Sequence, residues 1–298
     1  MASRDLHTPA SGLARHVMVP FPDGARLSTY IDGPDSAQGT VFLVHGLFAT
    51  SALWHRHVPL LTGQNLRVVR YDQRGHGWST PGTAPLALDR LADDLAYVID
   101  HVAPRGPLVL GGHSMGAMVL MRATARHPHL THKISGLVLI SPPPVGASTR
   151  TETGIKHLFA AAGRDLLATV CTHAPGLMDI VRRQLPASNR WALRPFVPSH
   201  VPAKPPHRAG LHLLRTADIA ALWNDLTGQQ HDLAPVRALG WRVRILAGAQ
   251  DVHIPAAQTC HLAGELPQAR LELVAHATHH LPASHPQLIA AQMAAALI

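Results

Sequence analysis

The sequence predicts an α/β protein: a mostly parallel eight-stranded sheet with flanking helices and a helical insertion late in the chain. Three observations carry that prediction. Short β-branched runs alternate with helical patterns along most of the chain. Several of those runs are unbroken stretches of Val, Leu and Ile, as strands covered on both faces require. The alternation then stops between residues 142 and 232, in a span too long for an ordinary connection.

The strand candidates are Arg15–Val19, Arg26–Ile31, Thr40–Val44, Arg67–Tyr71, Leu108–Gly111, Gly136–Ile140, Arg242–Ala247 and Arg270–Val274. Between them, Leu88–Val102 places Leu88, Leu91, Leu95, Val98 and Val102 at helical spacing. Asp89, Asp93, Asp94 and Asp100 supply its expected wet face. A second helical run, Met115–Arg126, follows the fifth strand. Residues 1–141 and 233–298 therefore form the expected core. Residues 142–232 open on Pro142-Pro143-Pro144 and carry further prolines from Pro195 to Pro206, which rule out one regular helix. Leu158, Phe159, Trp191, Phe196 and Trp223 argue against a disordered linker and for a helical cap laid over the sheet.

Composition narrows the class. The 298 residues are 46% hydrophobic and 15% charged, which excludes an intrinsically disordered chain. No apolar run is long enough for a membrane-spanning helix, so no membrane insertion is expected. Arg4, Asp5, His7, Arg15 and His16 interrupt the beginning of the chain, so no secretory leader is visible. Two cysteines, Cys171 and Cys260, neither staple a secreted scaffold nor give a zinc spacing. The expected setting is the reducing cytoplasm. The formal charge of +8 suggests nucleic acid at first sight. Its basic residues are scattered, mostly arginines, and never form a run, so no nucleic-acid partner is expected.

The chemistry centres on Gly112-His113-Ser114-Met115-Gly116, between a buried strand and a helix. In that context a serine sits on a strained turn that lifts its hydroxyl above the sheet. Small residues two before and two after let strand and helix approach. A serine capping the helix would not need both glycines. The hydroxyl requires a base, and the base an orienting acid, in the chain order Ser, acid, His. After the seventh strand, Gly248-Ala249-Gln250-Asp251 offers Asp251 as the acid, whereas the sixth strand ends in Ser141-Pro142-Pro143 without a carboxylate. The base belongs in the loop after the last strand, which holds His276, His279, His280 and His285. No Asp, Glu or Cys joins those histidines locally, so no metal site is expected. The strand Thr40–Val44 ends in His45-Gly46-Leu47-Phe48, a turn whose backbone N–H can face the nucleophile. The second donor is the N–H of Met115. His45 itself reads as a structural hydrogen bonder.

Four landmarks in order carry a family resemblance: His45-Gly46-Leu47, Tyr71-Asp72-Gln73-Arg74-Gly75-His76-Gly77-Trp78-Ser79, Gly112-His113-Ser114-Met115-Gly116, and Gly248 through Pro255. The chain resembles the α/β-hydrolase superfamily, and within it the cap-bearing serine esterases, lipases and thioesterase-like members. The resemblance implies a structural role for the second landmark. It also favours His279 as the base, because members often place a proline seven residues beyond the catalytic histidine, and Pro286 stands there. The usual Gly-His ending is Thr278-His279 in this chain. Dehalogenase and epoxide-hydrolase branches carry Asp where this chain has Ser114.

The implied activity is hydrolysis of a carboxylic ester, thioester or lactone of a largely apolar small molecule, without a cofactor. Ser114 attacks, His279 is the base, Asp251 orients it, and the Leu47 and Met115 N–H groups form the oxyanion hole. Phe48, Trp191 and Phe196 are expected to line the substrate pocket; Met115, Met118 and Met121 suit either that pocket or plain core. The alternatives are a non-hydrolytic catalyst on the same scaffold, such as an acyltransferase, perhydrolase or cyclase, and a binding protein that kept the fold.

Overall fold

The computed structural model describes residues 15–103, 106–143, 218, 221–222, 225 and 232–297. Eight strands form one sheet in the order β1-β2-β4-β3-β5-β6-β7-β8. They are β1 Arg15–Pro20, β2 Arg26–Asp32, β3 Thr40–Val44, β4 Arg67–Tyr71, β5 Leu108–His113, β6 Ile134–Ile140, β7 Val243–Gly248 and β8 Arg270–Val274. Strand β2 pairs antiparallel with β1 and with β4, and every other pairing is parallel. The sheet is mostly parallel, as the sequence predicts. β3 and β5, at its centre, are buried at every position.

Two apolar layers cover the sheet; the first helix in chain order is α1, Val58–Thr62. One holds α2 (Leu88–Val102) and α3 (Met115–Arg126), with Leu91, Leu95, Val98, Met118 and Met121 in its core. The three methionines of α3 are thus core residues. The other layer packs Leu43, Trp54, Val109, Ile140, Leu281 and Met293 together. Leu281 opens a short helix, Leu281–Ser284, and Met293 belongs to the last helix, Pro286–Ala294.

One aspartate departs from the expected pattern. Asp94 is buried, not on the wet face of α2, and its carboxylate takes two hydrogen bonds from Arg74, at 2.8 and 2.7 Å. It lies three residues after Leu91 and four before Val98, on the same helical face. Only the fork geometry of the buried guanidinium makes a carboxylate tolerable there. Arg74 also bonds the Asp23 carboxylate and, at 2.9 Å, the Pro81 carbonyl. The second landmark of the sequence is in this way tied to α2 and to the β1–β2 turn.

The expected cap, 142–232, lies almost wholly outside the described residues, and Trp191 and Phe196 with it. Within it, Asp218, Ala221, Leu222 and Asp225 are helical, and Pro142, Pro143 and Asp232 lie outside any helix. Leu222 is in the core, and the Asp225 carboxylate accepts the Leu88 N–H at 2.8 Å, satisfying an otherwise open donor at the start of α2.

Candidate active site

The site assembles at the carboxyl ends of β3, β5, β7 and β8, where open α/β sheets bind ligands. Strand β5 runs into Ser114, whose backbone takes φ 53° and ψ −120°. A left-handed φ is rare for a residue with a side chain and is retained where surrounding structure enforces it. The enforcement is visible in the flanking glycines. A Cβ on Gly112 would lie 2.6 Å from the Gly116 carbonyl oxygen, and one on Gly116 would lie 2.3 Å from the Val44 oxygen. The turn closes only with both glycines. Ser114 N–H bonds the Ile140 carbonyl at 2.9 Å, locking the turn onto β6. Met115 begins α3, so its N–H has no acceptor within the helix.

The β3 loop lies against this turn. A Cβ on Gly46 would sit 3.3 Å from the Ser114 Cβ and 3.2 Å from the His113 carbonyl oxygen. His45 holds the loop in place: its Nε2 accepts the Gln73 N–H at 2.9 Å, so its Nδ1–H donates to the Gly46 carbonyl at 2.8 Å. Gln73 adds a side-chain hydrogen bond to the His45 carbonyl. Burial lowers the His45 pKa to about 4, so the ring is neutral at physiological pH. This is the structural role expected for it. Leu47 and Phe48, both partly buried, follow, and Phe48 has φ 62°, a strained value for a bulky side chain.

At the far side, β7 ends in a turn carrying Asp251. The side chain is fully enclosed; Oδ1 accepts the His253 and Ile254 N–H groups at 2.9 and 2.8 Å. Oδ2 meets His279 Nδ1 at 2.8 Å. Burial pushes the Asp251 carboxyl up. The hydrogen bond and charge of His279 and the two backbone N–H groups outweigh that and hold it below the usual value. A carboxylate can only accept, so His279 Nδ1 carries a proton, and the neutral form of the ring has its lone pair on Nε2, the tautomer a base needs.

Two contacts set the His279 loop. A Cβ on Gly248 would lie 2.3 Å from the Ala277 oxygen, so that glycine lets residues 277–278 pass against the end of β7. His113 Nε2 donates to the His279 carbonyl at 2.8 Å, with the two rings 4.8 Å apart. His113 directly precedes Ser114, so one side chain links the Ser114 turn to the backbone of His279. The motif alone gives His113 no role; a histidine ending an otherwise apolar strand is the signal that could find it. His253 and His280 complete the surroundings, with rings 5.2 and 6.0 Å from that of His279. Burial, and then the His279 charge, lower the His253 pKa.

Residues 39–286 match the family described as alpha/beta hydrolase fold. The chain belongs to that family. Among curated relatives it is 33% identical over 129 residues to the probable oxidoreductase EphD of Mycobacterium tuberculosis, covering 42% of this chain and 21% of EphD. It is 30% identical over 164 residues to the epoxide hydrolase srdG of Neurospora crassa, covering 52% of this chain and 48% of srdG. The α/β hydrolase thus spans about a fifth of the length of the first relative and half of the second. The putative carbamate hydrolase RutD of Caulobacter vibrioides aligns more fully, 28% identical with 86% and 88% covered. A thermophilic esterase from Thermogutta terrifontis shares the fold at TM-score 0.65 and 22% identity, covering 94% of this chain and 97% of the other.

Proposed function

We propose that this α/β hydrolase cleaves carboxylic esters, thioesters or lactones of apolar small molecules through an acyl-enzyme. The observation that carries the reading is the His279–Asp251 hydrogen bond of 2.8 Å, beside a strained turn that presents Ser114. In this reading His279 Nε2 takes the Ser114 proton as the hydroxyl attacks the carbonyl carbon. Asp251 fixes the tautomer and stabilises the imidazolium. The N–H groups of Met115 and Leu47 receive the oxyanion, and each such donor is worth a few kcal/mol in the transition state. His279 then protonates the leaving group, and water, deprotonated by the same imidazole, releases the acid. Residues 142–232 are assigned to a helical cap, with Phe48, Trp191 and Phe196 on the substrate.

Residue 114 favours acyl transfer over epoxide opening, the activity in the name of srdG. A carboxylate there could open an epoxide as a nucleophile. A serine forms an ester intermediate only with an acyl carbon. The broad alignment with RutD adds carbamates as a second acyl class, since a carbamoyl-serine follows the same steps.

The test is hydrolysis of p-nitrophenyl esters from acetate to decanoate and of a p-nitrophenyl carbamate, by wild type and by Ser114→Ala, His279→Ala and His280→Ala. The expected result is turnover that falls at least about 10⁴-fold in the first two variants and survives in His280→Ala. A folded wild type inert on every substrate would overturn the reading.

A further inference from the structure

Strand β8 closes one end of the sheet, and among the described residues no strand pairs with its outer edge. Five residues, Arg270-Leu271-Glu272-Leu273-Val274, present that edge, and Arg270, Leu271 and Leu273 are exposed. Leu271 and Leu273 remain 37% and 43% accessible, high for leucines inside a strand of a closed core. An open apolar edge is a template for another strand. We infer that β8 is the interface of a homodimer, in which it pairs antiparallel with β8 of a second copy about a two-fold axis through Leu271.

The register follows from the pleat. A two-fold axis perpendicular to the sheet keeps each face on its own side, so it must pass through a residue and pair positions of equal parity. Through Leu271 it sets Arg270 opposite Glu272 of the partner, and the same contact recurs by symmetry. It also sets Leu271 against its own copy and Leu273 against Ala269 of the partner. Moved one residue on, through Glu272, the axis would oppose two glutamates, an arrangement that cross-strand pairing disfavours.

Local charge supports the first register. Arg270 makes no ion pair among the described residues, and its charge, after burial, lowers the pKa of neighbouring Arg244. Two arginines thus face one another across β7 and β8, on the sheet face that also carries Glu272. Glu272 is held ready, with Oε2 accepting from Gln292 Nε2 at 2.8 Å, while Arg244 bonds Gln292 Oε1 at 2.7 Å. Charges on an edge ordinarily discourage pairing. Opposite charges two residues apart instead select a self-complementary register.

The test is sedimentation velocity or light scattering at about 20 μM protein, above a micromolar Kd, on wild type, Arg270→Glu, Glu272→Arg and the double exchange. The wild type is expected to be a dimer. Each single variant makes two like-charge contacts and should weaken association about tenfold or more. The double exchange restores complementarity and should restore the dimer. Circular dichroism confirms that these surface variants fold. A monomeric wild type, a dimer that both single variants leave intact, or a double exchange that stays monomeric would overturn the proposal. None of these outcomes depends on the catalytic reading.

Discussion

Two buried aspartates follow strands of the same sheet, and they differ in how they use their oxygens. Asp72, after β4, gives Oδ1 to the Ser51 N–H at 2.7 Å and Oδ2 to the Trp78 N–H at 2.9 Å. Asp251, after β7, satisfies both backbone N–H groups with Oδ1 alone and so leaves Oδ2 for His279. One carboxylate uses both oxygens on shaping loops; the other shapes its loop and still has an oxygen for the His279 side chain. What marks a candidate catalytic acid is an oxygen left over after the backbone has been satisfied. Enclosure does not distinguish them, since both residues are buried. Gly77 underlines the structural case, because a Cβ there would lie 2.1 Å from Asp72 Oδ2.

Paired amide substitutions test that contrast. Asp251→Asn keeps the shape but can hold His279 in the wrong tautomer. It is expected to cost about 10⁴-fold in kcat with KM little changed, while thermal unfolding moves by only a few degrees. Asp72→Asn should do the reverse. Its amide nitrogen would oppose one backbone N–H, at a cost of about 1–3 kcal/mol, read as a lower Tm, with most of the activity retained below the transition. Equal activity losses in the two variants would refute the distinction.

A smaller effect is expected at the link between the two sides of the site. His113→Ala removes the hydrogen bond to the His279 carbonyl while leaving Ser114, His279 and Asp251 in place. About a tenfold loss in kcat, with KM unchanged, is the expected signature of a base held less firmly. His113→Gln, which can keep a donor near that carbonyl, should recover part of it. A loss confined to KM would show that His113 acts on substrate binding instead.

The smallest effect concerns acid stability away from the site. His57 is fully buried beside Trp54, and among the described residues neither ring nitrogen has a well-formed hydrogen-bond partner. Burial first, then the nearby His55, lowers its pKa from 6.5 to about 4. Below pH 6.5 the unfolded chain therefore binds a proton that the folded chain refuses. Stability falls as pH drops toward 4, by about 1.4 kcal/mol per pH unit for each such histidine. His45 and His76, lowered to about 4 and about 3, add to the slope. His57→Leu should reduce the slope by one proton, as measured by urea unfolding between pH 4.5 and pH 6.5. An unchanged slope would mean that His57 takes up its proton in the folded state.

Much of this was legible in the sequence, for identifiable reasons. The strands announced themselves as apolar runs, and β3, β4 and β8 have the expected limits. β5 and β6 are longer than their apolar cores, reaching Gly112-His113 and beginning at Ile134, because sheet pairing recruits residues of weak strand preference. Ser114 and Asp251 stood out through glycine spacing and strand order. His279 and His280 look alike as residues; the loop geometry brings Nδ1 of His279 to Asp251. The burial of Asp94 is not visible in the sequence, because a helical pattern of apolar residues does not reveal a buried arginine arriving from another segment. The use of His113 was equally hidden, since its partner is a backbone carbonyl far along the chain.

The most direct test of the proposed chemistry is covalent labelling with a fluorophosphonate, followed by intact-mass and peptide mass spectrometry. The wild type should gain a single phosphonyl group, mapped to Ser114. Ser114→Ala should gain none, and labelling should slow by orders of magnitude in His279→Ala and Asp251→Asn. Labelling of Ser114 at an unchanged rate in Asp251→Asn, or no labelling of a folded wild type, would contradict the assignment of Ser114, His279 and Asp251 as one catalytic unit.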